Sequence, residues 1–472
     1  MNSIMATNST GISAEVDAFT YALNQYLVQL GLPTDNVLVP VNERTKLINN
    51  FPDVLSLLAN DRKGEYLYLS KFIAACGVGL FDAALNFLWD ETVINLRNKV
   101  INFDIEYFFD STITDQSRRS KLNSADDLDK IEEWELIRGC HLTGILSDIG
   151  FKHLDYIRDM RNWASAAHPN QNQITGLQLV GWLETCIKEV IGKEPEAPAI
   201  EVKKLLSNVR NTTLTSDLIL YINHAIERLP NDILASLLKT LFGMYTTEKS
   251  SVQIKDNIKS FVRKCWELSN QNTKYECGLK YAIFASNGDA VRKSLAHEFL
   301  EFVAGLQYLP TDTLSLEIAE KVNNLYVAHN GLNNFHNEPA HAKALKKYIP
   351  ENGNIPAPVR FQYVKTIIMA KIGNGYGVSW NACEVYNELI SKFTENEIIE
   401  FTKLFSDGDL SSRISLHSCC EKFKEISEQL ITKTVNQISI QILNEIIKQT
   451  PEQLTNLGKD STYKQLISAY SS

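Results

Sequence analysis

The sequence predicts an all-α protein with two helical parts, and three observations support that prediction. Apolar side chains recur at helical spacing in residues 151–170, which predicts an α-helix. The apolar run at residues 72–88 is interrupted by Asp82 and is too short to span a bilayer, so we interpret it as a buried helix of a bundle. In the C-terminal part, Leu-Pro turns recur before predicted helices, which indicates stacked helical pairs.

The length and composition indicate a multidomain globular protein. A chain of 472 residues favours two or three domains, and 44% hydrophobic with 22% charged residues is typical of soluble proteins. Residues 1–14 lack the basic and apolar segments of a secretion signal, so we expect a disordered tail on a cytoplasmic protein. Two prolines mark residues 193–200 as a linker between a bundle at residues 15–192 and a helical repeat region at residues 201–472.

The eight cysteines are scattered and form no CxxC pair; only Cys419 and Cys420 are adjacent. Together with the missing secretion signal, this pattern predicts a reduced intracellular protein with neither a disulfide framework nor a zinc knuckle. We expect the adjacent pair to be core thiols. The sequence indicates no metal or other cofactor and no membrane span.

The negative charge lies in the N-terminal part. Residues 1–200 contain 27 acidic and 17 basic residues, a net of −10, and the remainder contains 29 and 30, a net of +1. An overall field of this sign does not attract nucleic acid, so any RNA contact must be local. The acidic residues at 126–135 follow Ser124, which predicts the start of a helix, and we interpret them as a solvated face.

Residues 249–293 are the strongest basic candidate for RNA binding. They contain nine basic and four acidic residues, with three aromatic residues among them: Trp266, Tyr275 and Tyr281. That composition can follow a phosphate backbone, although an ordinary solvated helix surface explains it as well. The basic side chains assigned to RNA are Lys255, Lys259, Arg263 and Lys264.

Residues 151–170 place charge on a face that is otherwise apolar. One stripe contains Phe151, Leu154, Ile157 and Ala164, and a second contains Tyr156, Met160, Trp163 and Ala167. A helix that is apolar on two sides is normally buried, yet Arg161 and His168 project from the first stripe. Because burying unpaired charge costs several kcal/mol, we expect the two residues to face a cleft, a partner segment or a subunit interface.

Arginine and histidine together suit the chemistry of a phosphodiester. The guanidinium is permanently charged and matches phosphate oxygens, whereas the imidazole exchanges protons near neutral pH. Pro169 predicts that the helix ends at His168, where the helix dipole favours imidazolium. The pair could therefore deprotonate a ribose 2′-hydroxyl and stabilise a phosphorane without a metal.

Arg161, Asn162 and His168 stand in the order of the signature helix of the HEPN superfamily, which this segment resembles. The apolar helix upstream, the acidic segment before residue 138 and the sequence QITGLQLVGWLETCIKEVI downstream also resemble the family. The resemblance covers roughly residues 15–192. It implies an all-helical bundle, usually dimeric, and often a metal-independent endoribonuclease of defence, toxin or RNA-processing systems, in which Asn162 orients the site.

Two readings of the Arg-His pattern remain open. In a non-catalytic bundle, Arg161 would pair with an acid such as Asp155 or Asp159, and His168 would only cap the helix. A second pair of this type, Arg292 and His297, lacks the Asn after the Arg, and we interpret it as a solvated helix face.

The spacing of the pair favours a dimer. Residues seven apart are separated by about 10 Å along a helix axis, and helical side chains lean towards the N-terminus. Arg161 and His168 of one chain are therefore badly placed to bind one phosphate. A two-fold axis would bring Arg161 of one copy to His168 of the other, so we expect a homodimer with RNA, for example tRNA, as its substrate.

The C-terminal part shows faint repeats. Leu-Pro turns at residues 229–234 and 309–314 are 80 residues apart, which is two units of the length of a HEAT-like repeat. Weaker copies occur near residues 393 and 449. Such a region presents a long surface to a partner. In a ribonuclease, this surface would select the RNA. In the alternative function, a non-catalytic dimerisation scaffold, it would bind a protein. The sequence GNGYG at residues 373–377 predicts a tight turn between helices.

Overall fold

The fold is all-α throughout the part of the chain that the structure describes. The computed structural model describes the backbone of residues 9–164 and 174–471. The chain folds into two compact units, one extending to Met244 and including Ser251–Ser269, the other comprising Tyr245–Ser250 and Asn270–Ser472. The all-α prediction is therefore confirmed.

The helices up to residue 269 belong to the first unit, except for the last two residues of α12. They are α1 Ser9–Gln29, α2 Val41–Leu55, α3 Leu67–Val78, α4 Phe81–Phe103, α5 Ile105–Thr112, α6 Gln116–Arg119, α7 Glu133–Leu142, α8 Asp148–Ala164, α9 Gly176–Cys186, α10 Ala197–Asn211, α11 Ser216–Ile226, α12 Asn231–Thr246 and α13 Val252–Leu268. Short 3₁₀ segments lie at Lys63–Glu65 and Ala125–Lys130, and π-helix extends α9 over Ile187–Ile191.

The helices of the second unit follow in order. They are α14 Gln271–Ser286, α15 Ala290–Phe302, α16 Thr311–Asn330, α17 Asn334–Lys346, α18 Ala357–Ile372, α19 Trp380–Ser391, α20 Glu395–Thr402, α21 Gly408–Ile414, α22 His417–Ile431, α23 Gln437–Lys448, α24 Pro451–Asn456 and α25 Ser461–Ser468. The 3₁₀ segments are Leu306–Tyr308, Leu404–Ser406, Leu457–Lys459 and Ala469–Ser471.

The apolar run at residues 72–88 forms parts of two helices and not one. Gly79 ends α3 with φ 98°, a left-handed conformation that favours glycine. A Cβ atom at this position would lie 2.4 Å from Nε of the buried Arg44. Arg44 lies on α2 and donates hydrogen bonds to the Val39 carbonyl and to the Thr20 hydroxyl of α1. The side chain that lies against Gly79 therefore also connects α1 with α2.

The first helix begins inside the predicted tail. α1 starts at Ser9 and packs on α2, which places residues 9–14 in a helix, whereas residues 1–8 lie outside the described residues. The contact between Thr20 and Arg44 (2.7 Å) shows how an N-terminal helix is attached to the unit.

The division between the two units does not coincide with the predicted linker at residues 193–200. α10 begins at Ala197, and Lys203 donates to the Asn102 carbonyl at 2.5 Å. Farther along, Asn257 of α13 donates to the carbonyls of Val209 and Thr212 at 2.9 and 2.7 Å. These contacts hold α10 and α13 in the first unit.

Helices of the second unit pack mainly on near neighbours in the chain. α16 contacts α17 and α18, α17 contacts α19, and α18 contacts α20. The Leu-Pro turn at residue 310 precedes α16, and the weaker motif at residues 393–401 contains Thr394, which begins α20 with a capping box. The sequence motifs thus mark true helix starts.

None of the described helices has the length and apolar character needed to cross a membrane. All eight cysteines are free thiols. Cys419 and Cys420 are both buried, which confirms their prediction as core thiols.

Candidate active site around Arg161

Helix α8 buries one apolar face and exposes the other. Leu154 and Ile157 are buried where α8 packs against α4, α7 and α9. Tyr156 and Trp163 are 53% and 71% exposed, so the expectation that both faces are buried is wrong for the second stripe.

Arg161 is held at the edge of the buried face by three side chains. Its Nε donates to Asn86 Oδ1 of α4 at 2.9 Å, and its Nη1 donates to Glu133 Oε2 at 3.2 Å and to Asn162 Oδ1 at 3.1 Å. The Arg161 side chain is 25% exposed. Among the described residues, its Nη2 amino group makes no hydrogen bond, so one edge of the guanidinium remains available.

Arg161 pairs with an acid, as suggested for a non-catalytic bundle, but that acid is neither Asp155 nor Asp159. Asp155 and Asp159 each lie 2.9 Å from Nη2 of Arg158, one turn before Arg161. Arg161 instead pairs with Glu133 on another helix. Arg158 therefore neutralises the acids of α8 and leaves Arg161 to connect three helices.

Asp90 is a second titratable group of this site. Burial raises the pKa of the Asp90 carboxyl, and the nearby positive charge of Arg161 opposes that shift. The negative charge of Glu133 raises the pKa further, and the positive charge of Lys71 lowers it. A carboxyl whose pKa is raised towards neutrality is better suited to exchange protons.

Asn86 and Asp90 were not predicted as site residues. Both lie on α4, one turn apart, and Asn86 Nδ2 donates to the Asp82 carbonyl at 3.0 Å, which fixes the amide so that its oxygen meets Arg161. The signal in the sequence was the polar series Asp82, Asn86 and Asp90, at a spacing of four residues among apolar residues of the first part of α4.

The acidic segment at residues 126–135 is not simply a solvated face. Glu133 reaches Arg161, and Glu135 is buried and forms a bidentate pair with Arg118. The hydrogen bond from Lys130 lowers the pKa of Asp127, and those from the backbone amides of Asn123 and Ser124 lower it further. The prediction of a helical start after Ser124 is confirmed by the capping box there.

His168, the proposed proton carrier, lies outside the described residues, as does the adjoining end of the predicted helix. Asn162 is exposed and contacts Arg161, as an orienting residue must. Of the three predicted catalytic residues, the structure thus places Arg161 and Asn162 together.

The exposed face of α8 forms a regular stripe next to Arg161. Ile149, Tyr156 and Trp163 are seven residues apart and are 62%, 53% and 71% exposed. A seven-residue apolar period is the pattern of a helix that pairs with another helix. Tyr156 also contacts the Trp182 ring, with centroids 6.4 Å apart, which supports the stripe from α9.

The basic side chains proposed for RNA all lie on α13. Lys255 and Lys259 are half-buried and Arg263 is exposed. Lys264 pairs with Glu227 at 2.6 Å, which raises its pKa. The aromatic residues among them differ in exposure: Trp266 and Tyr281 are buried, and Tyr275 is 44% exposed. Trp266 and Tyr281 are therefore not accessible for stacking on RNA bases.

The second Arg-His pair is partly exposed and contacts aromatic side chains. Arg292 lies over the Phe284 ring, 4.1 Å from its centroid. His297 Nε2 is hydrogen-bonded to the Tyr348 hydroxyl at 2.8 Å. Both residues thus contact aromatic side chains of the second unit, while 27% and 36% of their side chains stay exposed.

The resemblance to the HEPN superfamily depends on the residues themselves. Comparison with protein-family models, with curated proteins and with solved structures found no match to this chain.

Proposed function

We propose that this chain is a metal-independent endoribonuclease of the HEPN type, with Arg161, Asn162 and His168 as its catalytic group. The observation that carries the proposal is the position of Arg161. Three side chains from α4, α7 and α8 fix its guanidinium, while its Nη2 edge makes no hydrogen bond within the described chain. A cation oriented in advance stabilises developing charge without having to reorganise.

The reaction uses the ribose 2′-hydroxyl of the RNA as its nucleophile. That oxygen attacks the adjacent phosphorus as its proton leaves, the bond to the 5′-oxygen of the next nucleotide breaks, and that oxygen takes up a proton. The products are a 2′,3′-cyclic phosphate and a 5′-hydroxyl. Arg161 binds the non-bridging oxygens, and His168 transfers the protons.

The site is completed by a second copy of the chain. The exposed stripe of Ile149, Tyr156 and Trp163 can pair with the same stripe of another α8 around a two-fold axis. Arg161 and Asn162 lie on the same helix, so this pairing brings the two sites to one cleft. Arg161 of one copy then acts with the partner's histidine.

The second unit selects or restrains the RNA substrate. Its helices contact their near neighbours in the chain, the arrangement expected for a solenoid of stacked pairs. In the first unit, Lys255, Lys259 and Arg263 line one side of α13 at a spacing of four residues and contact the RNA backbone. By its resemblance, the protein acts in a toxin or antiviral defence system on cellular RNA such as tRNA.

The test is incubation of the purified chain with total RNA and tRNA in EDTA, followed by mapping of fragment ends. Wild type is expected to leave 2′,3′-cyclic phosphates, and Arg161→Ala and His168→Ala to lose about a hundredfold or more in rate. Arg158→Ala is the matched control, because it removes the same charge one turn away and should retain activity. Equal cleavage by wild type, Arg161→Ala and His168→Ala would overturn the assignment.

A second candidate function, a protein-binding scaffold, is favoured by one surface of the second unit. Leu332, Tyr376 and Trp380 are 92%, 91% and 93% exposed. Leu332 lies in the loop before α17, Tyr376 lies in the loop before α19, and Trp380 begins α19. Arg413 joins these loops by donating to the Gly373 carbonyl at 2.7 Å. Trp and Tyr often anchor protein interfaces.

The charges of this surface specify the partner. Residues 330–337, 372–382 and 412–418 contain one arginine, two histidines and no acidic residue, so the partner is a segment with apolar and acidic side chains. Displayed peptide libraries should yield such peptides, and Trp380→Ala should weaken their binding. Trp134→Ala, at a tryptophan of the first unit that is 43% exposed, is the control and should not. Selected peptides without that chemistry would exclude this function.

A further inference from the structure

A cleft in the first unit collects positive charge away from Arg161. It has a volume of ≈ 330 Å³ and lies beside α4, the π-helical end of α9 and the start of α10. Its charged lining residues are Arg62, Lys99, Lys203 and Glu194. The lining therefore carries a net of two positive charges inside a chain whose net charge is −9.

Lys99 is the most deeply placed of these cations. Its ammonium donates to the Lys193 carbonyl, and within the described chain it forms no ion pair with a carboxylate. Burial lowers the pKa of Lys99, although the negative charge of Glu194 opposes that shift. An ammonium has three donors, so two remain for an anion that would compensate the buried charge.

The other two cations are held at the rim. Lys203 donates to the Asn102 carbonyl at 2.5 Å, which leaves it two further donors. Arg62 lies over the Tyr66 ring at 6.0 Å, and its closest carboxylate contact, with Glu65, is long at 3.8 Å. Three cations with unused donors around one cleft suit a phosphate group, which offers several acceptor oxygens.

The rest of the lining suits an organic group attached to that phosphate. Phe103, Ile191 and Ile200 provide apolar surface, and the amides of Asn95 and Asn98 provide polar contacts. The volume lies near the lower end of ligand pockets, which measure roughly 300–1,000 Å³. It thus matches one small molecule.

We propose that this cleft binds a small phosphorylated molecule of mononucleotide size, with Lys99 and Lys203 on the phosphate and the apolar wall on the organic group. None of the lining residues belongs to the site around Arg161. The proposal is therefore independent of the ribonuclease assignment.

The experiment is calorimetric titration of the purified full chain with adenosine 5′-monophosphate, inorganic phosphate and adenosine. Saturable binding of one adenosine monophosphate per chain is expected, with weaker phosphate binding and no adenosine binding. Lys99→Gln and Lys203→Gln should each weaken the nucleotide by about tenfold, since each removes a charge-assisted contact. Lys188→Gln is the control, because Lys188 is a more exposed lysine of the same unit that pairs with Glu184 at 2.5 Å.

Two further results separate this site from the proposed RNA site. Arg161→Ala should leave adenosine monophosphate binding unchanged, whereas loss of binding in that variant would move the ligand to the other site and overturn the proposal. Absence of saturable binding, or equal affinity of wild type, Lys99→Gln and Lys203→Gln, would also overturn it. Equal affinity for phosphate and for the nucleotide would contradict the role of the apolar wall.

Discussion

The ion pair between Arg161 and Glu133 should restrain RNA binding, so Glu133→Gln is expected to increase it. The pair is 3.2 Å long, with side chains 25% and 34% exposed, and such a pair contributes about 0.5–1 kcal/mol. A phosphate that binds Arg161 must compete with that attraction. Glutamine keeps an acceptor for Nη1 but removes the charge, and Asn86 still holds Nε.

The predicted gain in RNA affinity is roughly two- to fivefold, because 1.4 kcal/mol corresponds to a factor of ten. It is measured by fluorescence anisotropy with a 2′-O-methyl RNA oligonucleotide, which cannot form the cyclic phosphate. Asp155→Asn is the matched control, since it changes the net charge equally and alters a contact of Arg158 instead. Weaker binding by Glu133→Gln, or an equal gain for Asp155→Asn, would refute the reasoning.

Three further predictions follow from particular contacts. Burial raises the pKa of Asp90, so the folded state binds the Asp90 proton more tightly than the unfolded chain does. The stability of the fold should therefore decrease as the pH rises from about 3.9, the pKa of an unperturbed Asp, through the raised pKa of Asp90. Asp90→Asn should reduce this dependence of the melting temperature on pH. Gly79→Ala should lower the free energy of unfolding in urea by about 2 kcal/mol or more, because the new Cβ would collide with the buried Arg44. Gly181→Ala is the control and should leave the stability unchanged, because a Cβ at Gly181 meets open space. Tyr156→Glu should give a monomer by light scattering and abolish RNA cleavage, and a dimer of unchanged stability would contradict the proposed pairing.

The all-α class could be predicted because local patterns determine it. Helical periodicity, the Leu-Pro turns and Ser124 each mark helices that the structure contains. The break at Gly79 could not be located in this way, because it depends on Arg44, which is far away in sequence. Likewise, two prolines at residues 193–200 suggest a linker, but contacts of α10 with α4 and α13 decide where the unit ends.

The candidate site was predicted only where its residues are adjacent in sequence. Arg161 and Asn162 could be found from one helix, whereas Asn86, Asp90 and Glu133 come from two others and meet Arg161 only in the fold. The error about Asp155 and Asp159 arose because sequence proximity suggested a partner for Arg161. Arg158 is better placed to reach both acids on the helix surface.

The measurement that tests the central claim most directly is complementation between two inactive variants. Arg161→Ala and His168→Ala are unfolded together, refolded as a mixture and incubated with tRNA in EDTA. If Arg161 of one copy acts with His168 of the other, half of the dimers are mixed and each carries one intact site, so about a quarter of wild-type activity returns. A mixture as inactive as either variant alone, beside an active wild type, would contradict the composite site.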